Sequence, residues 1–462
     1  MFQVEYSDPR YKARDMLELI LNKIMSGKTP DMIETTFLLS LKKQEEIQLL
    51  KRVARTIRKR HFGNKVFMYG FIYFSTHCRN NCTFCHFRKS NKGLVRYRKT
   101  PEEVIETACH MADSGVHLID LTMGEDLKFY SQHENINNDL HENTYKHLHE
   151  NTYKHLHEST NKHLHEAMNK HHHEWMGNQQ PDGMKTVVDM VSSIHAKTGL
   201  PVMISLGKIP VELMSDFKNA GAAFYACYQE THNRSLFEKI RKDQDYDERY
   251  NSKLYAKKAG LLIEEGLLSG IGDTIDDTVN SLFEMKSMDA DQTRSMTFIP
   301  QNGTPLERHP YVDPQKELLT ISVMRTLFPD RLIPASLDID GLSGLRQRLN
   351  AGANVVTSLV PPGKGLAGVA HSSLDIEDAR RTPESILPVL EECSLVPASC
   401  DDFNHWISMR KLSSCITKPL NDSPKKYNKT SLYVENYPTL SAHQNDADLF
   451  TVNGHACHSA TP

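Results

Sequence analysis

Lys65-Val-Phe-Met-Tyr-Gly-Phe-Ile-Tyr-Phe74 runs directly into Ser75-Thr-His-Cys78-Arg-Asn-Asn-Cys82-Thr-Phe-Cys85-His-Phe87. Residues 65–74 are apolar, aromatic and β-prone, the pattern of a strand buried on both faces. The cysteine loop therefore leaves the C-terminal end of a strand, where α/β folds place their chemistry. Its C-x3-C-x2-C spacing supplies three thiolates, one fewer than a closed tetrathiolate site needs. A four-iron cluster held by three cysteines keeps one iron open for a non-protein ligand. Structural zinc takes four ligands from paired short units, and no partner pair lies nearby, so zinc fits poorly.

The whole chain bounds the answer from outside. Its 462 residues can hold one large α/β barrel plus additional segments. A net charge of −3, from 55 Lys+Arg and 58 Asp+Glu, gives no bulk electrostatic case for nucleic acid or an anionic membrane. No apolar run approaches the ~20 residues that span a bilayer. The N-terminus lacks the basic-then-apolar layout of a signal peptide. Nine cysteines, three clustered and six scattered, do not form a disulfide framework, so a reducing cytoplasm is the expected location.

Residues 8–62 carry apolar positions at helical spacing and predict an N-terminal helical cap over 1–62. From Lys65 onward short apolar strands alternate with helical segments. Strands are expected at 65–74, 117–122, 201–205, 222–228, 266–271, 293–298, 331–336 and 355–360. Helices are expected between most of them, at 101–114, 184–197, 249–264, 276–287, 314–328 and 340–350. Eight β/α units predict a (β/α)8 TIM-type barrel over 63–132 and 181–406, with its site at the strand C-terminal ends.

Residues 133–180 differ in kind. An octapeptide repeat begins at His141, His149, His157 and His165, and 11 of the 24 histidines fall between 133 and 174. An eight-residue period drifts around a helix and builds no fixed apolar seam, so a solvated, disordered insertion after the second strand is expected. The polar extension 407–462 is expected to be disordered as well.

The cysteine loop resembles the signature of radical S-adenosylmethionine (SAM) enzymes. SAM would chelate the open iron, and several strand ends offer groups for the rest of it. Gly124 permits close backbone approach, and Glu125 can accept from the methionyl ammonium; the plain alternative is a turn glycine beside a solvated acid pair. Ser205, Glu230 and Arg249 follow at later strand ends and the next helix start, with a Glu230–Arg249 salt bridge as the alternative. Arg294 lies inside an apolar strand, where an unpaired charge is costly. Ser336 and Asp338 follow the seventh strand. An Arg and an Asp on neighbouring strands suit a zwitterionic amino acid, or else pair with each other to hold the barrel.

Longer segments sharpen the resemblance: FGNKVFMYGFIYFSTHCRNNCTFC, DLTMGED, ACYQET, RSMTFIPQNGTP, LIPASLDIDG and LNAGANVVTSLVPP. With them the chain resembles the methylornithine synthase family of pyrrolysine biosynthesis, in the radical SAM group that includes biotin synthase. The likeness runs from about residue 30 to 406, interrupted by the His-rich repeat. It implies a radical SAM barrel with a 4Fe-4S cluster and SAM as cofactors. The implied reaction isomerises L-lysine to (3R)-3-methyl-D-ornithine. A 5′-deoxyadenosyl radical would abstract hydrogen, lysine would fragment to a glycyl radical and an aminobutene, and the two would recombine. Carried over by motif, Cys78, Cys82 and Cys85 hold the cluster, Ser205, Glu230 and Arg249 contact SAM beside the Gly124 and Glu125 read from the residues, and Arg294, Ser336 and Asp338 contact lysine. A reductant such as ferredoxin or flavodoxin and a monomeric state are expected too, and the charge balance above gives no nucleic-acid or membrane partner. The chain departs from the family's pattern at His86, Leu127 and Leu206, and in the repeat. Another biotin synthase-like reaction (sulfur insertion or metallocofactor maturation) is the enzymatic alternative, and a His-rich metal-binding protein the non-enzymatic one.

Overall fold

The computed structural model describes residues 13–130, 183–360 and 381–416; the His-rich repeat and everything beyond 416 lie outside the described residues. Helices α1 (Ala13–Met25), α2 (Met32–Leu39) and α3 (Gln44–Phe62) precede the barrel. The expected N-terminal helical region is thus present, with α3 laid against two helices of the barrel's outer layer, α11 (Pro314–Leu327) and α12 (Leu342–Ala351). Buried Arg58 fastens α3 by donating to the Leu349 and Ala353 carbonyls.

The wall consists of β1 (Lys65–Ser75), β2 (Leu118–Met123), β3 (Val202–Ser205), β4 (Ala222–Ala226), β5 (Leu262–Ser269), β6 (Gln292–Thr297), β7 (Pro334–Ser336) and β8 (Val355–Leu359). All pair in parallel in the order β6-β5-β4-β3-β2-β1-β8-β7, and a bridge between Gln292 and Leu332 brings β6 to the β7 side. The eight-strand barrel is therefore the fold observed. From Val66 onward β1 is buried on both faces, as a wall strand covered by helices outside and side chains inside must be.

Helices between the strands start where chemistry dictates. Thr100 and Glu103 form a capping box ahead of Pro101 for α4 (Pro101–Asp113), and Thr274 with Asp277 does the same for α10 (Ile275–Ser287). Short α5 (Leu127–Tyr130) and α6 (Gly183–Thr198) flank the segment outside the described residues. Three further helices follow, α7 (Met214–Asn219), α8 (Arg234–Ile240) and α9 (Tyr246–Lys258).

Most boundaries shift by a few residues, and two differences matter most. The helix expected over 249–264 stops at Lys258, and β5 begins at Leu262 rather than 266. Glu264 and Glu265 read as helical surface, yet both are fully buried strand residues. Alternation sends Glu264 into the lumen, against Arg294, and Glu265 outward to Lys253 of α9.

The second difference is at the C-terminus. After α13 (Pro383–Glu392), β9 (Val396–Pro397) adds beside the start of β1, and α14 (Cys400–Ile416) follows. The disordered extension expected from 407 is corrected over 407–416, which is helix. Phe403 packs among Phe67, Tyr69 and Phe224, and Trp406 stacks on Phe224, so α14 seals the barrel's N-terminal end. Buried Arg410 reaches Asp289 and Asp291. Its polar sequence hid a helix whose few anchors are buried.

Candidate active site

β1 ends at Ser75, and the cysteine loop crosses the C-terminal mouth immediately beyond it. Cys82 is buried, while Cys78 and Cys85 are partly accessible. Gln244 Nε2 donates to Cys82 Sγ at 3.0 Å and Arg241 approaches it at 3.6 Å; the Asn80 N–H lies 3.5 Å from Cys78 Sγ. Burial pushes the Cys78 thiol up to about 11 and Cys85 further still, and neighbouring cysteine charges add to both shifts. Three thiols close enough to perturb one another, with donors aimed at sulfur, suit a cluster whose potential is tuned by hydrogen bonds to its sulfurs. Among the described residues no three ligands converge tightly enough to cage a single ion. A triad whose members each bind a different iron of a cube does not require that. The residues fit the 4Fe-4S group, and its assembly would take the protons from these thiols.

Gly124 lies directly under this loop. A Cβ there would sit 2.3 Å from the His77 carbonyl oxygen and 2.8 Å from Cys78 Cβ, so only glycine fits. The neighbouring acids are buried and paired, not solvated: Glu125 meets Arg79 at 3.1 Å and Arg249 at 3.5 Å, and Asp126 pairs with Arg98. Burial works to raise the Glu125 carboxyl, but Arg249, Arg79 and the Lys208 N–H outweigh it and hold it below its usual range. Ser205 Oγ donates to Asp120 Oδ1 at 2.7 Å, linking β3 to β2.

Glu230 adopts φ +66°, a left-handed conformation that costs a non-glycine residue about 1–3 kcal/mol. Backbone bridging to Leu267 holds the turn. Its Oε1 takes Arg241 at 2.7 Å, and its buried Oε2 has no hydrogen-bond partner. Burial raises this carboxyl, with Arg241 and Arg249 opposing. Arg249 donates to the Tyr228 carbonyl at 2.7 Å. Glu230 and Arg249 are therefore not a closed pair.

On the far wall Arg294 Nε donates to Glu264 at 2.8 Å, and its Nη1 lies 3.3 Å from Thr357 Oγ1. Its Nη2 is buried without a partner. The Tyr228 hydroxyl donates to the other Glu264 oxygen at 2.6 Å. Asp338 takes Ser358 Oγ at 2.7 Å and Arg381 at 2.8 Å, and Ser336 Oγ lies 3.3 Å from Ser358 Oγ. The direct Arg294–Asp338 pair is absent; each has its own partner. β8 joins them through an irregularity, where Met68 pairs Val356 but Gly70 pairs Leu359, and Ser358 takes φ +68°. That bulge lets consecutive Thr357 and Ser358 serve Arg294 and Asp338.

Asp120, Glu264, Arg241, Gln244, Ser358 and Arg381 escaped sequence reading. The available signal was acidic residues inside apolar strands: Asp120 in LIDLTM and Glu264 in LIEEGLLS. A buried acid there demands a cation or hydroxyl nearby.

The chain is similar to known proteins in sequence and fold. Residues 72–284 match the radical SAM superfamily. The 3-methylornithine synthase of Methanosarcina acetivorans is 38% identical over 391 residues, covering 85% of this chain and 97% of that protein. A crystal structure of methylornithine synthase superposes with a TM-score of 0.69 at 36% identity, covering 84% of this chain and 99% of that one. A maturase of the FeFe-hydrogenase, at 19% identity and a TM-score of 0.65, shares the fold over 87% of this chain and 82% of that one.

Proposed function

The chain belongs to the 3-methylornithine synthase family of radical SAM enzymes, and from that membership we propose how its barrel mouth isomerises L-lysine to (3R)-3-methyl-D-ornithine. When bound, the 4Fe-4S cluster and SAM supply hydrogen-atom abstraction and return. Cys78, Cys82 and Cys85 hold the cluster. Gly124, Glu125, Ser205, Glu230 and Arg249 surround SAM, with the unpartnered Glu230 Oε2 as an acceptor and Glu125 for the ammonium.

The observation that carries the substrate assignment is the partnerless Arg294 Nη2, a guanidinium nitrogen sealed from water. A lysine carboxylate would complete its fork. Ser336 and Asp338 then receive an ammonium, with Arg381 and Ser358 fixing the Asp338 oxygens. Glu264 and Tyr228 hold Arg294 in place, so the carboxylate end of the substrate stays anchored while the carbon skeleton rearranges. The buried strands on the far side would shield both pieces from water until they rejoin. The enzyme acts as a monomer in the cytoplasm, drawing electrons from a ferredoxin or flavodoxin. Among the described residues, no helix is long and apolar enough to cross a membrane.

The test is anaerobic reconstitution with iron, sulfide, SAM and L-lysine, followed by mass analysis. Methylornithine should accumulate. An unchanged lysine pool beside free 5′-deoxyadenosine would overturn the substrate. Asp338→Ala should keep its iron and lose lysine turnover by at least about 100-fold, the scale for removing a buried charged anchor. Turnover at the wild-type rate would remove Asp338 from the site.

A further inference from the structure

Between Ser75 and Pro101 the chain carries seven cations (Arg79, Arg88, Lys89, Lys92, Arg96, Arg98 and Lys99) and no carboxylate, within a protein of net charge −3. Two of them are neutralised by buried carboxylates, Arg79 by Glu125 and Arg98 by Asp126. Arg96 donates to the carbonyls of Thr76, Phe87 and Arg88, locking the segment after Cys85 into a strap across the cysteine loop. The strap is bonded to that loop directly, through Lys89 N–H to the Asn80 carbonyl at 2.8 Å and Arg88 N–H to the Cys85 carbonyl at 3.2 Å.

The side chains of Lys89 and Lys92 take no part in this network. Both are exposed, and neither has an ion-pair or side-chain hydrogen-bond partner among the described residues. An open hollow of about 380 Å³ lies beside Lys92, lined also by His86, Asn91 and the Asn302–Gly303 turn. Glu307 borders that turn, its carboxylate taken by the Gly303 N–H at 3.0 Å. Val95 is 85% exposed on the same strap. Unpaired surface lysines contribute little to folding, whereas a one-signed patch raises encounter rates with an oppositely charged partner.

We infer that the outer face of this strap, centred on Lys89 and Lys92 with Val95 as its apolar contact, is the docking surface for an acidic one-electron carrier protein. This rests on the family reading, which requires the cluster to be reduced, and adds where the donor binds. One electron leaves the carrier's reduced cofactor and enters the oxidised cluster; no bond forms or breaks and no proton moves. Because the strap is hydrogen-bonded to the cysteine loop, a carrier seated on it would lie against the segment that holds the cluster.

The experiment compares reconstituted wild type with Lys89→Glu/Lys92→Glu and with a charge-matched control, Lys28→Glu/Lys197→Glu, at two exposed lysines elsewhere. Bleaching of the cluster's visible absorbance is followed after mixing with reduced flavodoxin, or with a small photoreduced deazaflavin. Reversing the strap lysines should slow flavodoxin reduction by about tenfold or more at low salt, with the gap closing at high salt. Deazaflavin reduction, iron content and the control variant should match wild type, and Lys89→Arg/Lys92→Arg should restore the rate. A wild-type flavodoxin rate in the reversed variant overturns the assignment. So does equal slowing with both donors, which would mean an altered cluster. Bleaching involves no lysine, so failure of the mutase reading would show separately, as reduction without lysine turnover.

Discussion

Asp120 sits on the lumen side of β2, fully enclosed, with Ser205 and Thr122 hydroxyls on one oxygen. Burial, helped by the nearby Glu264 charge, pushes its carboxyl from an ordinary 3.8 up to about 6. The sign follows from proton binding. Between roughly pH 4 and 6 the folded protein holds a proton that the unfolded chain has released, so stability falls as pH rises through that window. The full penalty, about 3 kcal/mol at most for a shift of about two pH units, is present above pH 6. Asp120→Asn removes the charge. Its urea midpoint should therefore exceed that of wild type by a margin that grows from pH 4 to pH 7, measured on the cluster-free protein. A margin independent of pH would show that Asp120 does not titrate there. At this scale the sequence revealed residue types and not partners. Arg294 was legible as a charge needing compensation, but Glu264 was hidden in a Glu-Glu pair that reads as helix surface. Arg381 lies 43 positions beyond Asp338, and no local pattern could connect them.

Loop and strand meet at Gly124. The residue follows β2, and its N–H donates to the Ser75 carbonyl at 3.0 Å, where β1 becomes the cysteine loop. The contact set by a Cβ there is with backbone, which cannot swing aside as a flexible side chain would. Gly124→Ala must push the His77–Cys78 segment outward, moving the first thiolate relative to the other two. The barrel itself should survive, because Gly124 lies outside the strands. The expected result is a variant with wild-type far-ultraviolet circular dichroism that loses most of its iron after reconstitution, and with it SAM cleavage. Full iron incorporation would show that the loop absorbs the displacement. Element identity was largely readable because wall strands buried on both faces become continuous apolar runs. Boundaries failed where burial was tertiary. Residues Leu262–Glu265 carry two acids that only their separate partners on β6 and α9 make compatible with a strand, and α14 depends on Arg410 meeting Asp289 and Asp291 from another part of the chain.

The barrel is interrupted in sequence after α5 but not in space. A Cβ on Gly183, the first residue of α6, would lie 2.4 Å from the Lys128 carbonyl oxygen and 2.8 Å from Phe129 Cα. The two ends that flank residues 131–182 therefore touch, and α5 and α6 pack together. α5 is independently anchored, since the Tyr130 hydroxyl donates to the Leu206 carbonyl at 2.6 Å and Asp126 receives the Lys128 N–H. The wall pairings and site contacts described above are all made among the described residues. Excising 133–180 leaves Ser131, Gln132, Pro181 and Asp182 to span the junction, and four residues at about 3.3–3.6 Å each cover far more than the gap requires. Loop closure over a shorter connection is entropically easier, by about 0.6 kcal/mol for each halving of length. The excised enzyme should melt at or slightly above the wild-type temperature, bind the same iron and convert lysine at the wild-type rate. Loss of turnover with iron and melting temperature intact would give the His-rich repeat a part in catalysis, and the reading of it as an insertion beside a complete barrel would fail.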